Sequence, residues 1–285
     1  MIKHLCVIGV GLIGGSLALA LKKAGYVDKV TGLGRSIENL EIAKNLGVID
    51  NYETDYAKAV SHADMVFISV PIGAMGSVFT KIEPHLQRHA IVTDGGSAKH
   101  TVIDAALSNF ELKIKQFVPG HPIAGTEKSG AEAAFDSLYK DRRVILTPLE
   151  ENSSDDVAKV KAMWEAAGAE VDEMGARHHD LVLAGTSHLP HVLAFALVDC
   201  LNNLDDVNEI FKYAAGGFRD FTRIASSDPV MWRDICINNS EAILAMMNTY
   251  QKKMDSLKDS IQEGDGDAIL KIFSDAKNAR DDFSM

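Results

Sequence analysis

Short apolar, β-branched runs alternate with helical spacing through the first half of the chain. Runs at 4–9 (HLCVIG), 29–34 (KVTGLG), 64–71 (DMVFISVP), 90–96 (AIVTDGG), 115–120 (KQFVPG) and 143–148 (RVILTP) read as strands. Helical patterns fall between most of them, around 14–23, 37–46, 73–85 and 98–108. Such alternation predicts an α/β fold with a parallel, doubly wound sheet, to which the later, closely spaced strands can add antiparallel pairs. After LTPLEENSSDD the pattern repeats once, with a helix near 154–167 and a strand near 169–174.

Beyond Gly175 the strand signal stops. Ile243, Met246, Met247, Tyr250, Met254, Leu257 and Ile261 recur every three or four residues, predicting an amphipathic helix with one buried seam. GDGD at 264–267 breaks it, and a last helix is expected from about Ala268. Two domains follow: 1–174, α/β, and 175–285, all-helical. The helical part is short for a core of its own, so its seams pack either in an intrachain bundle or against a second chain. Pro190 lies inside a helical pattern and should kink it near His188 and His191.

A formal charge of -11 over 285 residues argues against nucleic acid or an acidic membrane surface as the main partner. An anionic small substrate remains open if its cations are supplied locally. The three cysteines, Cys6, Cys200 and Cys236, are far apart and form no C-x-x-C pair, which fits a reducing cytoplasm better than a disulfide framework. The apolar run from Leu5 to Leu21 resembles a signal peptide core. However, Gly9, Gly11, Gly14 and Gly15 interrupt it, and it is shorter than the ~20 apolar residues of a membrane span. It reads as a buried strand, a turn and a helix.

That turn is Gly9-x-Gly11-x-x-Gly14, following a strand and opening a helix, the context in which the motif signals a dinucleotide. Gly9 allows the tight turn, Gly11 the approach of a pyrophosphate, and Gly14 close packing of helix on sheet. Leu12 and Ile13, in the first helical turn, belong to the same phosphate site, and Val70 and Pro71 follow another strand toward it. At the end of the second strand, where an acid usually receives the ribose hydroxyls of NAD, stand Arg35 and Ser36. This leans the cofactor from NAD toward NADP; stacking of Arg35 on adenine is the alternative.

Polar clusters VPIG (70–73), DGGSAK (94–99) and GHPIAGTEKSG (120–130) follow strands, and RHHDLVLAGTSHLPH (177–191) opens the helical part. Together with GVGLIGGS and GGFRDFTRIA…W, these stretches resemble the prephenate/arogenate dehydrogenase family, in the family's order from residue 7 to 232. The resemblance implies a Rossmann-type domain, a helical domain that forms a homodimer, and NAD(P)-dependent oxidative decarboxylation in tyrosine biosynthesis. It matches His121 to the base on the ring hydroxyl, Ser97 to the serine sharing that hydroxyl, and Arg223 to the arginine holding a substrate carboxylate. His191 and Thr126 match positions near the substrate's side-chain end, and Glu127 an acid at the pocket mouth. Arg219 and Asp220 are expected to form a charge network around Arg223, and Trp232 to approach from the partner chain. No mutase segment before Met1 or regulatory segment after Met285 is expected.

Other readings stay open at this point. His121 could satisfy a loop carbonyl, and Arg223 could pair with Asp220 at the surface. His178, His179, Asp180, His188 and His191 could be grouped as metal ligands, but no cysteine or H-E-x-x-H pattern accompanies them, and no metal is expected. Rival functions are another two-domain reductase, of the β-hydroxyacid or pyrroline-carboxylate type, and a sensor that binds NADPH without turnover.

Overall fold

The structure is a computed structural model that describes residues 1–283. β1 (Ile2–Ile8), α1 (Leu12–Lys23), β2 (Val27–Leu33), α2 (Ile37–Asn45), β3 (Asn51–Glu53) and α3 (Tyr56–Val60) form the first half of a sheet. β4 (Met65–Ile68), α4 (Met75–Ile82), β5 (Ile91–Asp94), α5 (Lys99–Asn109) and β6 (Phe117–Val118) complete it. Every pairing is parallel, in the order β3-β2-β1-β4-β5-β6. The order reverses between β1 and β4, which opens a crevice beyond their carboxyl ends.

Both faces of this sheet are covered, as the continuous apolar runs require. Leu5 and Val7 of β1, with Met65 and Phe67 of β4, face one core layer. Their neighbours Cys6, Ile8, Val66 and Ile68 face the other. This is the two-residue period of a strand buried on both sides. On the first face Phe67 meets Trp164 edge-on, ring centroids 5.4 Å apart.

The run at 115–120 is not one strand. β6 ends at Val118, and β7 (Gly120–Pro122) leaves the large sheet to pair antiparallel with β8 (Arg143–Leu146). Pro119 between them has no N–H to give either ladder, which makes it a natural point for changing sheets. After α6 (Ser154–Ala166), β9 (Glu170–Glu173) joins β8 in parallel.

α7 (Ala176–Leu183) continues through a π turn, Ala184–His188, into α8 (Leu189–Asn202). The kink expected at Pro190 is taken up by this wider turn, in which Leu189 N–H reaches back five residues to the Ala184 carbonyl. The stretch Ala176–Asn202 is long and apolar enough to cross a membrane by length and composition alone. The Asp180 carboxylate, however, bonds to the backbone of α5, which ties the stretch to the α/β part.

α9 (Val207–Lys212), α10 (Gly216–Thr222) and α11 (Pro229–Asn238) follow, then α12 (Ser240–Glu263) and α13 (Gly266–Phe283). The sequence from Met231 to Gly264 is therefore two helices, broken at Asn239. The chain divides into compact units Met1–Ser240 and Glu241–Met285, so α7 to α11 share a unit with the sheet. On α12 the expected seam is only partly buried: Ile243 is buried, whereas Met247, Tyr250, Met254 and Ile261 are exposed. An amphipathic helix of this length with a bare apolar stripe is built for a partner surface.

Candidate active site

The glycine turn leads directly from β1 to α1. Gly9 adopts φ +95°, and a Cβ there would lie 2.5 Å from the Ser69 carbonyl oxygen. A Cβ on Gly14 would meet Ser69 Oγ at 2.4 Å and the Gly9 carbonyl oxygen at 2.5 Å. Ser69 seals this contact by donating to the Gly9 carbonyl at 2.7 Å. Gly11 differs: a Cβ on it would meet nothing within 4 Å. The turn is thus closed behind and open in front.

α1 begins with no side-chain cap and no acid in its first turn. Its first bond from the glycine turn runs from Gly15 N–H to the Gly11 carbonyl, 2.8 Å. The N–H groups of Leu12, Ile13 and Gly14 come before it and face an open, uncapped helix end. Such an end is suited to phosphate. The cradle and the uncapped helix fit a dinucleotide. Val70, half-buried, and Pro71, exposed, lie on the loop after β4. Arg35 is exposed at the end of β2, and Ser36 Oγ caps α2 by accepting from Asn39 N–H. Asn39 went unnoticed in the sequence: its side chain donates to the Val10 carbonyl and accepts from Ala131 N–H, bracing the turn.

His121 sits in β7, opposite Ile145, and its ring is buried at 8% exposure. Its Nδ1 lies 2.8 Å from Nε2 of His179. His179 Nδ1 in turn lies 2.8 Å from Asp180 Oδ1. Asp180 also accepts the N–H groups of Lys99 and His100, at the start of α5. Beneath them Lys99, fully buried, donates to Asp94 and to the Gly120 carbonyl. Asp94 accepts Gly120 N–H at 3.0 Å, so the residue before His121 is held on both its backbone groups. The sequence motifs contained Asp94, Lys99, His179 and Asp180, yet no pattern assigned them to this cluster. His121 meets His179 across 58 residues of chain and Lys99 meets Asp180 across 81, only once β5, β7 and α7 converge.

Burial, together with neighbouring His179, Lys99 and His188, holds the His121 ring well below the usual imidazole range, so it is neutral near pH 7. Burial also lowers His179, against the pull of Asp180. For Asp180, burial pushes upward but the His179 bond and the two α5 N–H groups outweigh it, leaving the carboxyl below its usual range.

His188, in the π turn, accepts on Nδ1 from Asn239 at 3.0 Å, and burial brings its pKa to about 4. A histidine lowered by folding takes up its proton more readily when unfolded, so stability is lost as pH falls from about 6.5 toward 4. From His188 alone, urea unfolding at pH 5 should give a free energy about 2 kcal/mol below that at pH 7. A flat profile across that range would show that His188 is solvated.

His191 donates Nδ1–H to the Ser187 carbonyl at 2.8 Å and stacks on Trp232, ring centroids 3.7 Å apart. Trp232, which the resemblance expected to approach from a partner chain, makes this stack on His191 of its own chain. Asp228 caps α11 and Pro229 starts it, which turns Trp232 inward to 7% exposure. Its indole Nε1 is buried with no hydrogen-bond partner.

Arg223 is exposed, and its charge is felt at His191, lowering that ring after burial and against the Ser187 bond. The expected charge network is not formed. Among the described residues no hydrogen bond or ion pair joins the side chains of Arg219, Asp220 and Arg223, all three of which are exposed. Ser97 is half-buried in the loop between β5 and α5. Thr126 and Glu127 are exposed in the loop after β7, where Thr126 Oγ1 accepts from Lys128 N–H. Of the histidines of this stretch, Nδ1 of His179 pairs with Asp180, Nδ1 of His188 with Asn239 and Nδ1 of His191 with Ser187.

Comparison with known proteins addresses the whole chain. The family model for the prephenate dehydrogenase nucleotide-binding domain matches residues 17–173, and that for the prephenate dehydrogenase dimerization domain matches 175–275. A cyclohexadienyl dehydrogenase from Zymomonas mobilis is 39% identical over 98% of this chain and 95% of its own length. The crystal structure of prephenate dehydrogenase from Aquifex aeolicus, in complex with hydroxyphenyl propionate and NAD+, superposes with a TM-score of 0.92 at 37% identity, covering 98% of each chain. Arogenate dehydrogenase from Synechocystis gives a TM-score of 0.83 at 27% identity, over 99% of this chain and 100% of that one. With a doubly wound nucleotide-binding sheet, a buried histidine cluster beyond its strands and both family domains matched in order, the chain belongs to the prephenate dehydrogenase family of oxidoreductases.

Proposed function

We propose that the protein oxidatively decarboxylates prephenate, arogenate or both, within tyrosine biosynthesis. The observation that carries this reading is His121, an imidazole buried beside the carboxyl end of β5 and linked to it through Gly120 and Asp94. Both substrates are cyclohexadienols with a ring carboxylate. Their oxidation takes a hydride from the carbinol carbon and a proton from its hydroxyl; the carboxylate leaves as carbon dioxide and the ring becomes aromatic. When bound, the nicotinamide supplies the hydride acceptor. His121 accepts the hydroxyl proton, with Ser97 sharing that hydroxyl. Arg223 holds a carboxylate, which a guanidinium can grip through two oxygens. His191, Thr126, Glu127 and the unpaired Nε1 of Trp232 serve the substrate's other end.

Residues Gly9, Gly11, Leu12, Ile13 and Gly14 would hold the pyrophosphate, with Val70 and Pro71 alongside. Arg35 and Ser36, with no carboxylate beside them, favour NADP. A functional division near residue 174 is supported by the meeting of the two family matches there, and a homodimer by the exposed apolar residues of α12. The test is kinetic, with each substrate paired with each nicotinamide. One carbon dioxide per reduced nicotinamide is expected, with NADP+ turned over more efficiently than NAD+. Cofactor binding without turnover of either substrate would make the protein a sensor, and strict NAD+ preference would overturn the cofactor assignment.

Arg223→Ala should raise KM for substrate about 100-fold, the worth of one charge-assisted carboxylate grip, with kcat changed only a few-fold. Steady-state kinetics check it. An unchanged KM would move the role to Arg219.

A further inference from the structure

His179 touches His121 and Asp180 touches His179, yet neither faces the substrate in the mechanism above. Their hydrogen bonds nevertheless have a direction. Asp180 accepts two backbone N–H groups at the start of α5, Lys99 at 2.8 Å and His100 at 2.9 Å, which favours its ionised form. A carboxylate can only accept. His179 Nδ1, 2.8 Å from Asp180 Oδ1, must therefore carry hydrogen. In a neutral imidazole the other nitrogen then holds the lone pair, so His179 Nε2 accepts. His121 Nδ1, 2.8 Å from it, must donate. Only Nε2 of His121 remains basic.

We infer that Asp180 and His179 are positioning residues that select the tautomer of His121, leave Nε2 as the base, and share the positive charge when it is protonated. The inference rests on His121 being the base. As Nε2 takes the substrate hydroxyl proton, the Nδ1 proton can pass to Nε2 of His179. That ring becomes an imidazolium bonded through Nδ1–H to the Asp180 carboxylate. No proton is gained or lost along the chain beyond the one taken from substrate. The arrangement extends the logic of a histidine oriented by a buried carboxylate by one further imidazole.

The surroundings make such sharing useful. His121 also faces Lys99 of α5 and His188 of the π turn, and His179 also faces Lys99 and Asp94, so a bare imidazolium at 121 would meet burial and a buried ammonium together. Two buried rings and a carboxylate are a costly way to fill a core that packing alone could fill with apolar side chains.

Two measurements test this. Ring nitrogen NMR of the wild-type protein, labelled with 15N-histidine, should show His121 protonated at Nδ1 and bare at Nε2; the reverse tautomer would overturn the inference without any variant having to fold. In Asp180→Asn the amide can donate to His179 Nδ1, which reverses every bond in the chain and places hydrogen on His121 Nε2. Its kcat should fall about 10³-fold with KM within about threefold, and the His121 ring spectrum should invert. A folded Asp180→Asn protein with wild-type kcat and an uninverted His121 spectrum would refute the relay even if His121→Asn is slow. A fast His121→Asn enzyme would instead refute the base itself.

Discussion

His121→Asn is expected to lower kcat about 10³-fold while KM for substrate stays within a few-fold, the signature of a group that acts in the transition state. Asparagine suits the test because its side-chain N–H can replace Nδ1–H as donor to His179, so the buried cluster loses a base without gaining an unpaired nitrogen. Burial holds the wild-type imidazole neutral near pH 7, ready to accept. Single-turnover measurement of nicotinamide reduction separates the hydride step from product release. Weakened binding at an unchanged rate would reduce His121 to a substrate-orienting residue.

The second large effect belongs to the glycine turn, where neighbouring glycines should fail in different ways. Gly9→Ala meets backbone at 2.5 Å and requires φ +95°, so it should cost about 3 kcal/mol of stability, seen as a lowered urea midpoint. Gly11→Ala meets no protein atom within 4 Å, and its φ of -116° suits alanine. Its stability should be unchanged, yet its methyl group points where the pyrophosphate must come. KM for the nicotinamide should rise about 100-fold, as when a charge-assisted hydrogen bond is lost. Equal cofactor affinity in Gly11→Ala would mean the phosphates lie elsewhere.

Much of this was legible in the sequence, and the reasons differ by element. Strands buried on both faces announced themselves as unbroken apolar runs, and the glycine spacing fixed the order strand, turn, helix. β3 and α3, only three and five residues long, carried too few apolar positions to show a period. The switch of sheets at Pro119 was hidden because the residues on either side looked like one strand. On α12 the spacing identified an apolar face without saying what covers it.

The site divided in the same way. His121 and Trp232 are buried, whereas the exposed Arg219 and Asp220 lack the pairing expected of them. His179, Asp180, Lys99 and Asp94 were visible as residue types and invisible as a cluster. Local sequence carries no record of which distant strands and helices will converge. One rule could have found them: three adjacent titratable residues in the first turns of a helix, HHD, in a chain where a strand ends in an acid and the next helix starts with a lysine.

In the proposed reaction His121 and Arg223 act on one small dianion from opposite ends. The most direct test is a crystal structure of the protein with a nicotinamide cofactor and 4-hydroxyphenylpyruvate, the decarboxylated ring product. The account predicts the phenolic hydroxyl within about 2.6–3.2 Å of His121 Nε2 and the side-chain carboxylate on the Arg223 guanidinium. A product bound with its hydroxyl away from His121, or with the two residues lining separate cavities, would contradict it.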